Sequence, residues 1–135
     1  MAHELINPQA LGPPHGYSNG VLAEAGGRLL FIAGQIAWDE KQRIVSDQLE
    51  QQFVRALENV IVVLKAAGGA PEHLVRMMIY VTDRDQYLKS LKPIGEAYRR
   101  VMGRHYPAMA LVEVKALLEP EAKVEIEATA VLPAR

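Results

Sequence analysis

Two hydrophobic periods divide this chain. Apolar residues recur at Leu49, Phe53, Leu57, Val60, Ile61, Leu64 and Ala67, a spacing of three and four that lines one side of a helix, before Gly68-Gly69. An amphipathic helix of about five turns is predicted here. Asp47 and Glu50 stand in D-x-x-E order at its start, so a capping box is expected there. A second helical pattern places Leu91, Ile94, Tyr98 and Val101 on one face. Pro93 falls in its first turn, where a missing amide hydrogen costs nothing, and Gly103 marks its end.

The remaining apolar runs have the period of strands. Val75 to Thr82 is rich in branched and aromatic residues and follows the Pro71 turn. Tyr106 to Val114 and Val124 to Ala128 alternate with period two and are joined by a proline-containing turn. Val21 to Ala25 and Arg28 to Ala33 flank Gly26-Gly27, whose tolerance of positive φ suits a tight turn, so an N-terminal hairpin is predicted. The order is strand, strand, helix, strand, helix, strand, strand, with no internal repeat or linker. A single α+β domain over residues 1–135 is expected, with one sheet and two helices packed on one face.

Each helix has one apolar face, so the helices cover one side of the sheet and leave the other open. Alternation puts Val75, Met77, Ile79 and Val81 opposite Arg76, Met78, Tyr80 and Thr82, and Val124, Ile126, Ala128 and Ala130 opposite Glu125, Glu127, Thr129 and Val131. The second set of each strand mixes charge with apolar groups. An open face expected to carry Met78, Tyr80, Leu111 and Val131 predicts burial against a partner subunit in a homo-oligomer.

Composition narrows the chemistry. The 15 basic and 16 acidic residues balance to −1, which provides no positive field for nucleic acid. No cysteine is present, so disulfides and thiolate chemistry are absent. No basic-then-apolar leader and no 18-residue apolar run occurs, so a cytoplasmic protein without membrane contact is expected. The four histidines, at 3, 15, 73 and 105, lack a metal-ligand spacing on a helix, and no phosphate-binding or nucleophile-elbow motif appears. No metal and no cofactor is expected.

Gly16-Tyr17-Ser18, Ala33-Gly34-Gln35-Ile36, Tyr106-Pro107-Ala108-Met109 and Val124-Glu125-Ile126-Glu127-Ala128, in that order over nearly the whole chain, resemble the RidA (YjgF-type, reactive intermediate/imine deaminase) family. The resemblance implies a mixed sheet of the YjgF/chorismate-mutase-like kind and a homotrimer whose sheets face inward, with a ligand cleft at each subunit boundary. It also implies cofactor-free hydrolysis of an enamine or imine with release of ammonia. Glu125 falls on the family's water-positioning glutamate, and Tyr17, Ala33, Gly34, Met109 and Leu111 fall on substrate-binding positions. Glu127 is expected to be structural or interfacial. By alternation alone, Val-Glu-Ile-Glu reads as any half-solvated strand.

The chain departs from the family pattern where it matters to the substrate. Relatives carry arginine after the Pro-Ala pair to hold a carboxylate, and Met109 offers no donor. Ala33 stands where many relatives have serine. Arg104, five residues before Met109, is the nearest replacement cation in sequence, though its place past the helix end suits a solvated terminal charge. A neutral or aromatic ligand therefore becomes the expectation. The alternative is a non-catalytic trimer that binds an apolar or aromatic metabolite. A ribonuclease lacks support, since no histidine pair or basic surface is present.

Overall fold

The structure, a computed structural model, describes residues 3–135. Two short strands, β1 (Glu4–Ile6) and β2 (Gly20–Leu22), pair antiparallel with each other. The main sheet has four strands in the order β3 (Arg28–Gln35), β6 (Val124–Leu132), β4 (Leu74–Val81) and β5 (Ala108–Glu113). β6 runs antiparallel to both its neighbours, and β4 is parallel to β5. Helix α1 (Leu49–Ala66) links β3 to β4, while α2 (Arg84–Lys89) and α3 (Leu91–Met102) link β4 to β5. The parallel pair thus has the helical crossover that such a pair needs.

The apolar stripe of α1 becomes the core. Leu49, Phe53, Leu57, Val60 and Leu64 are buried against Met77, Ile79 and Val81 of β4 and Val124, Ile126 and Ala128 of β6. Burial of each large side chain contributes about 1.5–3 kcal/mol. Ile94, Tyr98 and Met102 of α3 complete the same cluster. One polar side chain is buried within α1. Gln52 donates to the carbonyls of Ser46 and Glu121 and accepts from the Lys123 amide, so it ties the loop before β6 to the helix. Its full satisfaction removes the cost of burying an amide.

Four sequence expectations are corrected. Gly26 does turn the chain with φ 81°, but β2 pairs with β1 and β3 pairs with β6, so no hairpin spans Gly26-Gly27. The capping box of Asp47 and Glu50 does not form. Gln48 is the N-cap and makes no side-chain cap, while Ser46 accepts from the Gln48 amide and donates to Gln51. Leu111 does not lie on the open face. β5 is parallel to β4 with Leu111 opposite Ile79 and Met109 opposite Met77, so both side chains share the helix-covered face. Val131 is only 5% exposed within the chain and does not add to an open surface.

Two details went unpredicted. Helix α2 begins at Asp83, whose carboxylate accepts from the Gln86 amide, a cap that satisfies one of the orphan donors of the first turn. A register shift between Leu74 and Arg76 makes Leu74, rather than Val75, the buried residue at the start of β4. Elsewhere on β4 and β6 the alternation holds, with Met77, Ile79, Val124 and Ile126 inward and Arg76, Tyr80, Glu125 and Glu127 outward.

Candidate functional site

On the open face the feature with the tightest fit is Gly34 beneath Glu125. β3 meets β6 with Ile32 opposite Ala128 and Gln35 opposite Ile126, so β3 has one extra residue at Ala33-Gly34. Such a bulge re-aims the strand. Glu125 lies across it, and a Cβ built on Gly34 would stand 2.7 Å from Glu125 Cδ and 2.8 Å from Oε2. No side chain fits at position 34 while the carboxylate keeps this place. Ala33, in the same bulge, is exposed. The sequence signal of a glycine interrupting a strand therefore reports a close approach by a specific acid.

The two glutamates of β6 differ in their partners. Glu127 accepts a short hydrogen bond from the Tyr80 hydroxyl. Tyr80 sits opposite Glu125 in the β4–β6 register and reaches diagonally to Glu127, the reach expected of a long aromatic side chain. Its hydroxyl is held above the ordinary tyrosine value, first by donating to Glu127, then by desolvation and by the charges of Glu127 and Glu125. Tyr80 thus remains a donor, and Glu127 is occupied by it. The Glu125 carboxylate has no hydrogen-bond partner among the described residues, which leaves both its oxygens able to hold water.

Met109 and Leu111 lie elsewhere. Both face the helices, and Met109 borders a cavity of about 350 Å³ between the sheet and α1, α2 and α3. His15 and Gly16 reach the rim of the same cavity. Tyr17 follows them, partly exposed, and Ser18 anchors this loop to the edge of the sheet by a parallel bridge to Ala108, with its hydroxyl donating to the Tyr106 carbonyl. Tyr17 is therefore carried on the loop that reaches the rim of this cavity, but it does not itself line it. Glu125, Ala33 and Gly34 are not near Met109 and Leu111, because β4 lies between β5 and β6 and the side chains leave opposite faces. Two strand spacings amount to about 10 Å.

Sequence reasoning missed the tyrosine donor on Glu127 and the aromatic walls of the cavity. Tyr80 was visible only as a member of the outward set, since a diagonal contact depends on register. Tyr98 and Tyr106 stack with centroids 5.0 Å apart and planes at 8°, a pairing across the α3–β5 connection that spacing does not reveal. Arg104 is exposed, and it is not among the residues of the Met109 cavity, where Arg99 is the cation. A second concavity, of about 490 Å³ between residues 44–47 and 115–123, contains none of the expected site residues. Among the described residues no group of three or more His, Asp or Glu is placed to hold a metal, and no helix is long and apolar enough to cross a membrane.

A mixed four-stranded sheet, helices on one face and an unpartnered carboxylate over a glycine bulge on the other define an α+β protein of the Rid type. The chain belongs to the RidA/YjgF family, and the model of that family described as Endoribonuclease L-PSP matches residues 7–132. It is 37% identical over 136 residues to Protein DfrA of Myxococcus xanthus, covering 97% of each chain. Against the human 2-iminobutanoate/2-iminopropanoate deaminase it is 31% identical over 125 residues, covering 92% of this chain and 83% of that one. A Rid-family protein of Yersinia pestis superposes with TM-score 0.87 at 36% identity, over 98% of this chain and 100% of that one. Several relatives bear the names of imine or reactive-intermediate deaminases.

Proposed function

We propose that this single-domain protein is a cofactor-free hydrolytic deaminase of enamines or imines, working in the cytoplasm as a homotrimer. The observation that carries this reading is the Glu125 carboxylate, without a hydrogen-bond partner among the described residues and laid over Gly34 on the open sheet face. A water held by Glu125 attacks the C=N carbon as its proton passes to the carboxylate. That proton passes to the nitrogen to give the neutral carbinolamine. Glu125 then takes the carbinolamine hydroxyl proton and delivers it to the nitrogen as the C–N bond breaks, so that ammonia and a carbonyl compound leave. An enamine enters the same path once it has taken a proton at carbon to become the imine. Positioning supplies most of what is needed, since imines hydrolyse readily in water.

The separation of the two half-sites supports the assembly. A small imine is shorter than the span between Glu125 and Met109 of one chain, so a cleft using both takes them from different subunits. Exposure of Leu29 at 65% and Phe31 at 74% on β3 supports the same arrangement, because paired large apolar groups on an open sheet favour burial. The backbone carbonyls near Met109 and Leu111 then complete the water site. With methionine in place of arginine, the preferred substrate is a neutral or aromatic enamine or imine rather than a small 2-imino acid.

The test generates imines in place with an amino-acid oxidase and follows ketone release. Glu125→Gln should lower turnover about a hundredfold, the usual contribution of a positioned base. Glu127→Gln should keep most activity and the same oligomeric mass. Equal losses from both substitutions, or an unaltered rate in Glu125→Gln, would overturn the assignment.

A further inference from the structure

We infer that the concavity between residues 44–47 and 115–123 is a binding site for a small zwitterion with an apolar tail, of the kind a free aliphatic amino acid presents. The inference goes beyond the deaminase reading, since none of Gly34, Met109, Leu111 and Glu125 lines this space. Its volume of about 490 Å³ falls in the range of small-molecule sites. It opens at one end of the sheet, where β4 gives way to Thr82, β5 has passed into Lys115 and the chain enters β6 from Lys123.

Two walls far apart in sequence are held together by one side chain. Gln52 is fully buried, and its amide donates to the carbonyl of Ser46 on one wall at 2.8 Å and to that of Glu121 on the other at 3.0 Å. Its oxygen accepts from the Lys123 amide at 2.8 Å. Lys123 is fixed from the other side as well, because its carbonyl accepts from the Thr82 amide. A concavity braced in this way is formed before a ligand arrives, so binding costs little reorganisation.

Charge is divided between the walls. Lys115 and Lys123 stand on one and Asp47 on the other, and none of the three is in an ion pair among the described residues. Asp47 accepts a hydrogen bond from the side-chain amide of exposed Gln48, and Lys123 is half-buried, where a charge is less screened than in open water. Glu121 also lines the space, at an exposed position, so two cations face two anions and the lining as a whole is neutral. A simple anion or cation would meet a like charge for every opposite one. A zwitterion can turn its carboxylate to the lysines and its ammonium to Asp47, leaving neither end unmatched. Ile44, Val45 and Leu117 supply the apolar surface for a hydrocarbon tail.

The experiment titrates the whole protein with leucine and reads binding by calorimetry or ligand-observed NMR. Leucine should bind more tightly than isocaproate, which lacks the ammonium, than isoamylamine, which lacks the carboxylate, and than glycine, which lacks the tail. Lys123→Met keeps most of the lysine stem and removes its charge. It should weaken leucine and isocaproate about tenfold, the size of one charge-assisted hydrogen bond, and not weaken isoamylamine. Asp47→Asn should weaken leucine and isoamylamine by a similar factor and spare isocaproate. Glu125→Gln should bind leucine as the wild type does. Because binding is read without turnover, an inactive deaminase leaves this result as it stands. Leucine binding no tighter than that of the controls, binding indifferent to Lys123→Met and Asp47→Asn, or loss in Glu125→Gln would each overturn the inference.

Discussion

Met77 and Met78 are consecutive on β4 and meet opposite conditions. Met77 is fully buried beneath the helices, while Met78, across from Glu127, is partly exposed on the open face. The difference separates two tasks within one sheet. The helix-covered face is closed by packing inside a single chain, with Phe53, Leu57 and Ile126 as its centre. The other face holds Phe31, Tyr80, Glu125 and Glu127, a mixture that no element of the same chain covers. Folding stability belongs to the first face, and the second is the one that the proposed assembly would cover.

The largest effect that tests this division is on folding. Met77→Ala should destabilise the protein by about 2–5 kcal/mol, because a fully buried methionine leaves a cavity that the close-packed core cannot refill. Met78→Ala should cost far less in chemical denaturation under conditions that keep the chains separate. Equal losses would mean that the two faces are not energetically distinct.

A second test falls on the open face alone. Leu29→Ser together with Phe31→Ser removes the most exposed large side chains of β3. Light scattering should show the mass falling from three chains toward the 14.9 kDa of one, with the circular dichroism of the fold retained. A wild-type protein that is already monomeric at micromolar concentration would remove the inter-subunit cleft. Loss of the fold in the double variant would transfer these residues to the stability face.

How much of this was legible in sequence depended on whether the information was local. The stripe of α1 was read correctly from Leu49 through Leu64, because a 3.6-residue period is a property of one segment. The alternation of β6 was equally plain from Val124 to Ala130. What failed required a partner. Leu111 was assigned to the open face because a period of two fixes alternation but not absolute direction, and only the parallel register with β4 places it beside Ile79. The Gly26-Gly27 turn was recognised as a turn, yet the strand that β2 joins lies 16 residues back in Glu4–Ile6. Gly34 shows the opposite case, since a glycine inside a strand is itself a local sign of a bulge or a close approach, and only the β3–β6 register names Glu125 as what approaches. Asp83 with Gln86 was a local cap signal for α2 that was available and overlooked.

A smaller effect is expected at the substrate end. Met109→Arg should raise hydrolysis of carboxylate-bearing imines about tenfold, by restoring one charge-assisted contact. The gain should fall with added salt and be absent for neutral imines. Arg99 borders the same cavity, so a second guanidinium meets like-charge repulsion that limits the gain. Wild-type turnover of small imino acids that matches arginine-bearing relatives would show that another cation already holds the carboxylate.

The smallest effect isolates the tie between Tyr80 and Glu127. Because the folded protein holds the Tyr80 hydroxyl above its ordinary value of 10.0, the stability from this bond is fully present below about pH 10. It is lost as pH rises through the higher folded value, where the phenolate can no longer donate and faces Glu127 and Glu125 as a like charge. Tyr98 is also raised, chiefly by burial, so wild type alone would show a combined alkaline loss. The difference between wild type and Tyr80→Phe separates the two. Denaturation from pH 8 to 11 should give a constant small deficit for Tyr80→Phe up to about pH 10, shrinking above it as the wild type loses the bond. A difference that stays constant through pH 11, or that grows, would mean that the hydroxyl contributes nothing through Glu127. The carboxylate would then be held by strand geometry alone, and Glu125 and Glu127 would no longer differ in what occupies them.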